Sequence, residues 1–129
     1  MDLEERSIII VGASHKRDRF ANKAVRAYKE LGWIVYPVHP IDREVEGLPC
    51  SPTVADVPGR AAWMSLYVPP KNGLSVVEQA PAKGVRDVYV NPGAGSPELI
   101  AKIESLGMNP IEACSIVAIG RSPSEFPSA

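Results

Sequence analysis

Residues Ile8-Ile9-Ile10-Val11 form an apolar run without polar alternation, and the run empties into Gly12-Ala13-Ser14. A half-exposed strand alternates polar and apolar residues, whereas an unbroken β-branched run suits a parallel strand covered by helices on both faces. Gly12 stands where the backbone must turn sharply and admit a close neighbour. A helix pattern follows from about Phe20 to Leu31, with Phe20, Ala24, Tyr28 and Leu31 spaced at three and four residues and Gly32 placed to cap the end. A strand, a small-residue turn and a helix start together favour an anion, because unpaired N–H groups and the helix dipole point into the turn. The first expectation is a phosphate-bearing ligand at this end of a sheet.

The pattern then repeats. Trp33-Ile34-Val35-Tyr36 predicts a second strand, running into Pro37-Val38-His39-Pro40 as a stiff loop. Residues 41–58 are turn-rich, with at most a short helix near Thr53–Val57 capped by Thr53. Trp63–Val68 predicts a third strand stopped by Pro69-Pro70, and a helix from about Lys71 to Lys83 that Pro81 should kink or shorten. Val85–Val90 is a fourth strand, ending in Asn91-Pro92-Gly93. Ser96-Pro97-Glu98 opens a helix with an N-cap, a proline at its first position and an acid in its first turn, and Gly107 closes it. Asn109–Ala113 is a short fifth strand, Cys114–Gly120 is ambiguous, and Arg121–Ala129 reads as a loose Ser/Pro tail after a core that begins beyond the polar lead-in of residues 1–6. Strands alternating with helices imply right-handed βαβ crossovers, hence an α/β doubly wound, Rossmann-like parallel sheet of about five strands in one domain, 1–129. Its ligand crevice should lie at the carboxyl ends of the strands, where four loops rich in glycine and proline open together.

Charge narrows the ligand. A net charge of −1 argues against bulk nucleic-acid binding, yet six of the fourteen Lys and Arg residues fall between His15 and Lys29. Lys23, Arg26 and Lys29 fit a solvated helix face, while Lys16, Arg17 and Arg19 sit in the turn itself, placed for phosphate. No run is long enough to span a bilayer and no signal peptide pattern opens the chain. Cys50 and Cys114 lack metal-binding spacing, which leaves free thiols and a cytoplasmic setting as the expectation. A dinucleotide site would want G-x-G-x-x-G and an acid closing the second strand. Here the glycine pattern is reduced to Gly12-Ala13-Ser14, and the nearest acid, Asp42, lies past both prolines, so NAD is disfavoured. The P-loop pattern is absent as well.

Taken in order, Ile10–Ser14 with the polar stretch to Arg19, Gly32–Pro40, Glu46-Gly47, Cys50, Val54–Pro58, Tyr67–Pro70 and Cys114 resemble the small single-domain CoA-binding protein family. They are similar in outline to the CoA-binding domain of the succinyl-CoA synthetase α subunit. The chain departs from the family pattern at His39 and Ala113, where asparagine and arginine are common. The resemblance implies CoA lying across the strand ends. Gly12, Ala13, Ser14 and Lys16 would meet the pyrophosphate, with Arg17 or Arg19 available to a phosphate. Val38, His39 and Pro40 would border ribose and adenine; Val68, Pro69, Pro70 and Lys71 would form the facing wall; Asn91, Pro92 and Gly93 would lie near the pantetheine arm. Cys114 would come near the thiol, although as a residue it reads first as a small buried hydrophobe. No nucleophile, base and orienting group stand together as a catalytic set, so the expectation is a non-catalytic CoA or acyl-CoA binding module, a carrier, sensor or regulatory partner of another protein that uses the bound CoA. The alternative is a small NAD(P)-binding protein or oxidoreductase-like component.

Overall fold

A computed structural model describes residues 3–129, with side chains described from Glu5 onward. The strands and helices are β1 (Ser7–Val11), α1 (Phe20–Glu30), β2 (Ile34–Val38), β3 (Glu44–Val45), β4 (Leu48–Pro49), β5 (Trp63–Leu66), α2 (Pro70–Val76), β6 (Asp87–Val90), α3 (Pro97–Ser105), β7 (Asn109–Ile111) and α4 (Ser115–Ala118). Five of the strands make one sheet in the order β2-β1-β5-β6-β7, every pair parallel. The apolar run of β1 therefore occupies an inner position, and Ile8, Ile9 and Ile10 are fully buried. Alternate residues feed two cores. Ile9 and Val11 pack with Met64, Leu66, Val88, Leu99 and Ile103, under α2 and α3. Ile8 and Ile10 pack with Ala24, Val25 and Tyr28 of α1, with Ile116 of α4, and with Phe126. The sheet is doubly wound, an α/β Rossmann-like arrangement. The chain leaves β1 toward β2 on one side and returns to β5 on the other, which opens a crevice at the carboxyl ends of β1 and β5.

Local differences from the sequence reading have physical reasons. β2 continues through Pro37, because the missing N–H faces away from β1, on the outer side of an edge strand, where the Pro37 carbonyl accepts from the Ser51 N–H at 3.0 Å. A small hairpin, β3–β4, forms around Glu46-Gly47, both in the left-handed region at φ 50° and 80°. Pro81 ends the helical run early: α2 stops at Val76 and passes into single 3₁₀ turns before Gly84. Ser96 caps α3 as expected, accepting from the Leu99 N–H at 3.1 Å. On α1 the buried stripe is Ala21, Ala24, Val25 and Tyr28, while Phe20 is exposed. Nor is Arg121–Ala129 a loose tail. Ser122 and Glu125 form a capping box, Phe126 is buried under Arg26 and Arg121, and the Pro127 carbonyl accepts from Arg26 at 2.9 Å. Among the described residues no helix is long and apolar enough to cross a membrane.

Candidate functional site

The site is built on three strand exits held together by the backbone. The N–H groups of Gly12 and Ala13 both donate to the Val38 carbonyl, at 2.9 and 3.1 Å, and the Tyr67 N–H donates to the Val11 carbonyl at 3.0 Å. Gly12 has φ +87°, and a Cβ there would lie 2.6 Å from the Tyr67 carbonyl oxygen. The neighbour that glycine admits is thus the backbone leaving β5. Beyond this knot the chain turns outward. Ser14 Oγ accepts from the Lys16 N–H at 3.1 Å, and the His15 N–H donates to Asp42 at 2.9 Å.

Asp42 reaches this position because the loop after β2 folds back on its own histidine. His39 Nδ1 accepts from the N–H groups of Ile41 and Asp42, at 3.1 and 2.9 Å, which leaves a neutral ring's proton on Nε2. The carboxylate of Asp42 then takes both the backbone and the ring Nδ1 of His15, the latter at 2.9–3.0 Å. The His15 backbone N–H first, and its ring second, hold the Asp42 carboxyl below the ordinary carboxylate range.

A cavity of about 630 Å³ opens over this turn, lined by Gly12, Ser14, Lys16, Arg19, His39, Asp42 and Tyr67. Phe20 and Ile41 also line it, and they are 60% and 77% exposed, large apolar side chains left facing solvent. Helix α1 begins at this cavity with Arg19 as its N-cap, no side-chain cap and no acid in its first turn. That is the reverse of what a helix start prefers, since cations there oppose the dipole. Among the described residues neither Lys16 nor Arg19 pairs with a carboxylate through its side chain. A second cavity, about 200 Å³, shares Gly12 as a wall and is lined by Val38, Pro40, Val68, Pro52, Asn72 and Gln79. A third, about 620 Å³, lies at the end of β6 between Pro92, Gly93, Ile100, Glu104 and Glu112.

The fold therefore gathers Gly12, Ser14, Lys16, Arg19, Val38, His39, Pro40 and Val68 around two adjoining cavities. The other residues expected there are not among the lining of these two cavities. Ala13 is wholly buried in the core. Arg17 turns back to Glu46 at 3.3 Å and to the Ala129 carbonyl at 2.9 Å. Pro69 and Pro70 start α2, and Lys71 is exposed on its first turn. Pro92 and Gly93 line the separate third cavity. Asn91 lines it too, but its amide is engaged, donating to Ser65 Oγ and the Leu66 carbonyl and accepting from the Ser115 N–H. It belongs to a buried polar cluster in which Ser115 Oγ meets Ser65 Oγ at 2.8 Å and the Tyr67 hydroxyl at 3.0 Å, while the Tyr28 hydroxyl donates to the Ser115 carbonyl. Burial pushes the Tyr67 hydroxyl up to about 12. Cys114, half-buried, precedes Ser115 as the N-cap of α4, and both cysteines are free thiols. Phe20, Ile41, Asp42, Asn72 and Gln79 were not expected at the cavities. The exposure of Phe20 and Ile41 had a trace in the sequence, as large hydrophobes beside charged turns, but their convergence is tertiary.

The sequence profile described as CoA binding domain matches residues 6–120. The chain belongs to this CoA-binding domain family. A hypothetical protein from Pyrococcus horikoshii OT3 superposes with a TM-score of 0.79 at 36% identity, over 84% of this chain and 76% of that one. The dinucleotide-forming acetyl-coenzyme A synthetase 1 of Ca. Korarchaeum cryptofilum, in complex with phosphate and ADP, superposes with a TM-score of 0.74 at 27% identity, over 88% of this chain but 27% of that enzyme. An ADP-forming acetate–CoA ligase of Archaeoglobus fulgidus is 29% identical over 83 residues, 64% of this chain and 12% of the ligase. The CoA-binding domain described here thus corresponds to a small part of each of these enzymes.

Proposed function

We propose that this chain binds CoA or an acyl-CoA across the carboxyl ends of β1, β2 and β5, and serves without catalysis as a carrier, sensor or regulatory partner of a protein that uses the bound CoA. One observation carries the reading: α1 starts without a side-chain cap over a cavity at the sheet's switch point, beside Lys16 and Arg19, which pair with no carboxylate among the described residues. The first N–H groups of a helix, set beside Lys16 and Arg19, suit a pyrophosphate or phosphate ester. Phe20 and Ile41 offer apolar surface to a base, and Val38, Pro40 and Val68 offer a wall to the rest of the nucleotide or its arm. Asp42 is the acid that an NAD ribose would require, but its carboxylate is occupied by His15. The same pair does not make a case for catalysis, because among the described residues no hydroxyl or thiol is hydrogen-bonded to the His15 ring.

The test is a thermal-shift panel with CoA, acetyl-CoA, dephospho-CoA, NAD and NADP. Ligand at about a hundred times its Kd adds roughly 2.7 kcal/mol, several degrees for a domain of this size. A shift is expected with CoA and acetyl-CoA and none with NAD. A shift confined to NAD or NADP would replace it with the dinucleotide alternative.

A further inference from the structure

Behind the cationic turn lies a polar cluster that faces away from the cavity. Asn22 is fully buried; its Nδ2 donates to the Ser14 carbonyl at 2.9 Å and to Glu46 Oε2 at 3.1 Å, and its Oδ1 accepts from Arg26 Nε at 2.8 Å. Arg26 belongs to the helix face that composition suggests is solvated, yet it is only 8% exposed. Its Nη2 donates to the carbonyls of Arg17 and Pro127, each at 2.9 Å, and its guanidinium lies over the Phe126 ring. Glu46 takes Arg17 Nη2 at 3.3 Å, and its own carbonyl accepts from Lys29 Nζ at 2.7 Å. It does so from φ +50°, a conformation a side-chain-bearing residue adopts at a cost.

The carbonyls of Ser14 and Arg17 are gripped from inside the protein, one by Asn22 and one by Arg26, and Lys16 lies between them on the outer side. Burying a guanidinium and an amide is unfavourable unless their donors are used, and here each spends one hydrogen bond on the backbone of this turn. We propose that Asn22, Arg26 and Glu46 are positioning residues: they fix the Ser14–Arg17 turn so that Lys16, Arg19 and the first amides of α1 converge on one phosphate. Arg26 holds the Arg17 and Pro127 carbonyls with the same nitrogen, so docking of residues 126–129 and occupancy of the turn are coupled, each favouring the other. This rests on the reading of the turn as a phosphate site.

The experiment is a double-mutant cycle on the full chain, with CoA affinity measured by calorimetry for the wild type, Lys16→Ala, Asn22→Ala and the pair. A positioning role predicts that Lys16→Ala weakens CoA about tenfold in the wild type and less than about twofold once Asn22 is gone, because a mispositioned lysine has little left to lose. Amide exchange without ligand should also accelerate at residues 14–19 and 126–129 in Asn22→Ala. Additive losses with unchanged exchange at the turn would overturn the proposal and leave the cluster a structural tie. If Asn22→Ala does not fold, Arg26→Lys takes its place, keeping the charge while losing the two-carbonyl bridge. If the wild type binds no CoA, the functional reading falls by itself. The exchange measurement then decides the positioning claim, which unchanged protection at 14–19 would defeat.

Discussion

Replacing Arg19 by Asp should make the unliganded protein more stable while removing its ligand affinity. Arg19 is the N-cap of α1, with φ −78° and ψ 140°, the extended conformation a capping residue needs, but it supplies no capping acceptor. An aspartate at such a position satisfies an orphan N–H, worth about 0.5–2 kcal/mol. Removing a cation from the positive end of the dipole and adding an anion contributes roughly 0.3–1 kcal/mol more. Arg19 is exposed and forms no ion pair among the described residues, so little offsets these gains. A net gain of about 1–2 kcal/mol should raise the melting temperature by roughly 3–10 °C. A phosphate at the same place would lose a charged partner and meet a like charge, a loss of at least about 1.5–3 kcal/mol in binding. Differential scanning calorimetry with and without CoA measures both quantities on one sample. A variant no more stable than the wild type, still shifted by CoA as before, would refute the view that this helix start is held uncapped for an anion.

Other perturbations test the frame around the site. Gly12→Ala should destabilise by more than about 2 kcal/mol in urea unfolding, since it combines a left-handed φ with a Cβ 2.6 Å from the Tyr67 carbonyl oxygen. Ser115→Ala leaves the Ser65 and Tyr67 hydroxyls short of a buried partner and should cost about 1–3 kcal/mol by the same measurement. Asp42, held by the His15 N–H and ring, and Glu46, which burial raises but Asn22 and Arg17 pull lower, both ionise below their ordinary values in the folded state. The stability they add is therefore present above the unfolded carboxylate range, near pH 4, and is lost as pH falls through their lowered values. Melting curves from pH 6 to pH 3 should fall more steeply for the wild type than for Asp42→Asn; parallel curves would remove Asp42 from the acid response.

The sheet was legible wherever short-range chemistry decides the structure. Ile8–Val11 can only be an inner strand, Ser96-Pro97-Glu98 carries its own helix start, and Pro81 must break the pattern in which it stands. What escaped depends on partners distant in sequence. Pro37 stays in β2 because that strand is an edge, which position alone does not reveal. Asp42 reaches the cavity because His39 Nδ1 draws the loop back, and Arg26 is buried because Phe126 and Pro127, a hundred residues on, cover it. Gly12, Lys16, Val38 and Val68 were readable as strand-exit residues, and the structure gathers them around two adjoining cavities. The hydrogen bonds that Arg17 and Asn91 make inside the protein were not readable, because their partners lie far off in sequence.

The most direct measurement is the map of amide chemical-shift changes on titrating CoA into the labelled wild-type protein. The largest changes are expected on the non-proline residues of 12–21, 38–42 and 67–72, with smaller ones reaching 126–129. Changes centred instead on Gly93–Ser96 and Glu112, with the 12–21 amides unmoved, would contradict CoA binding over this turn.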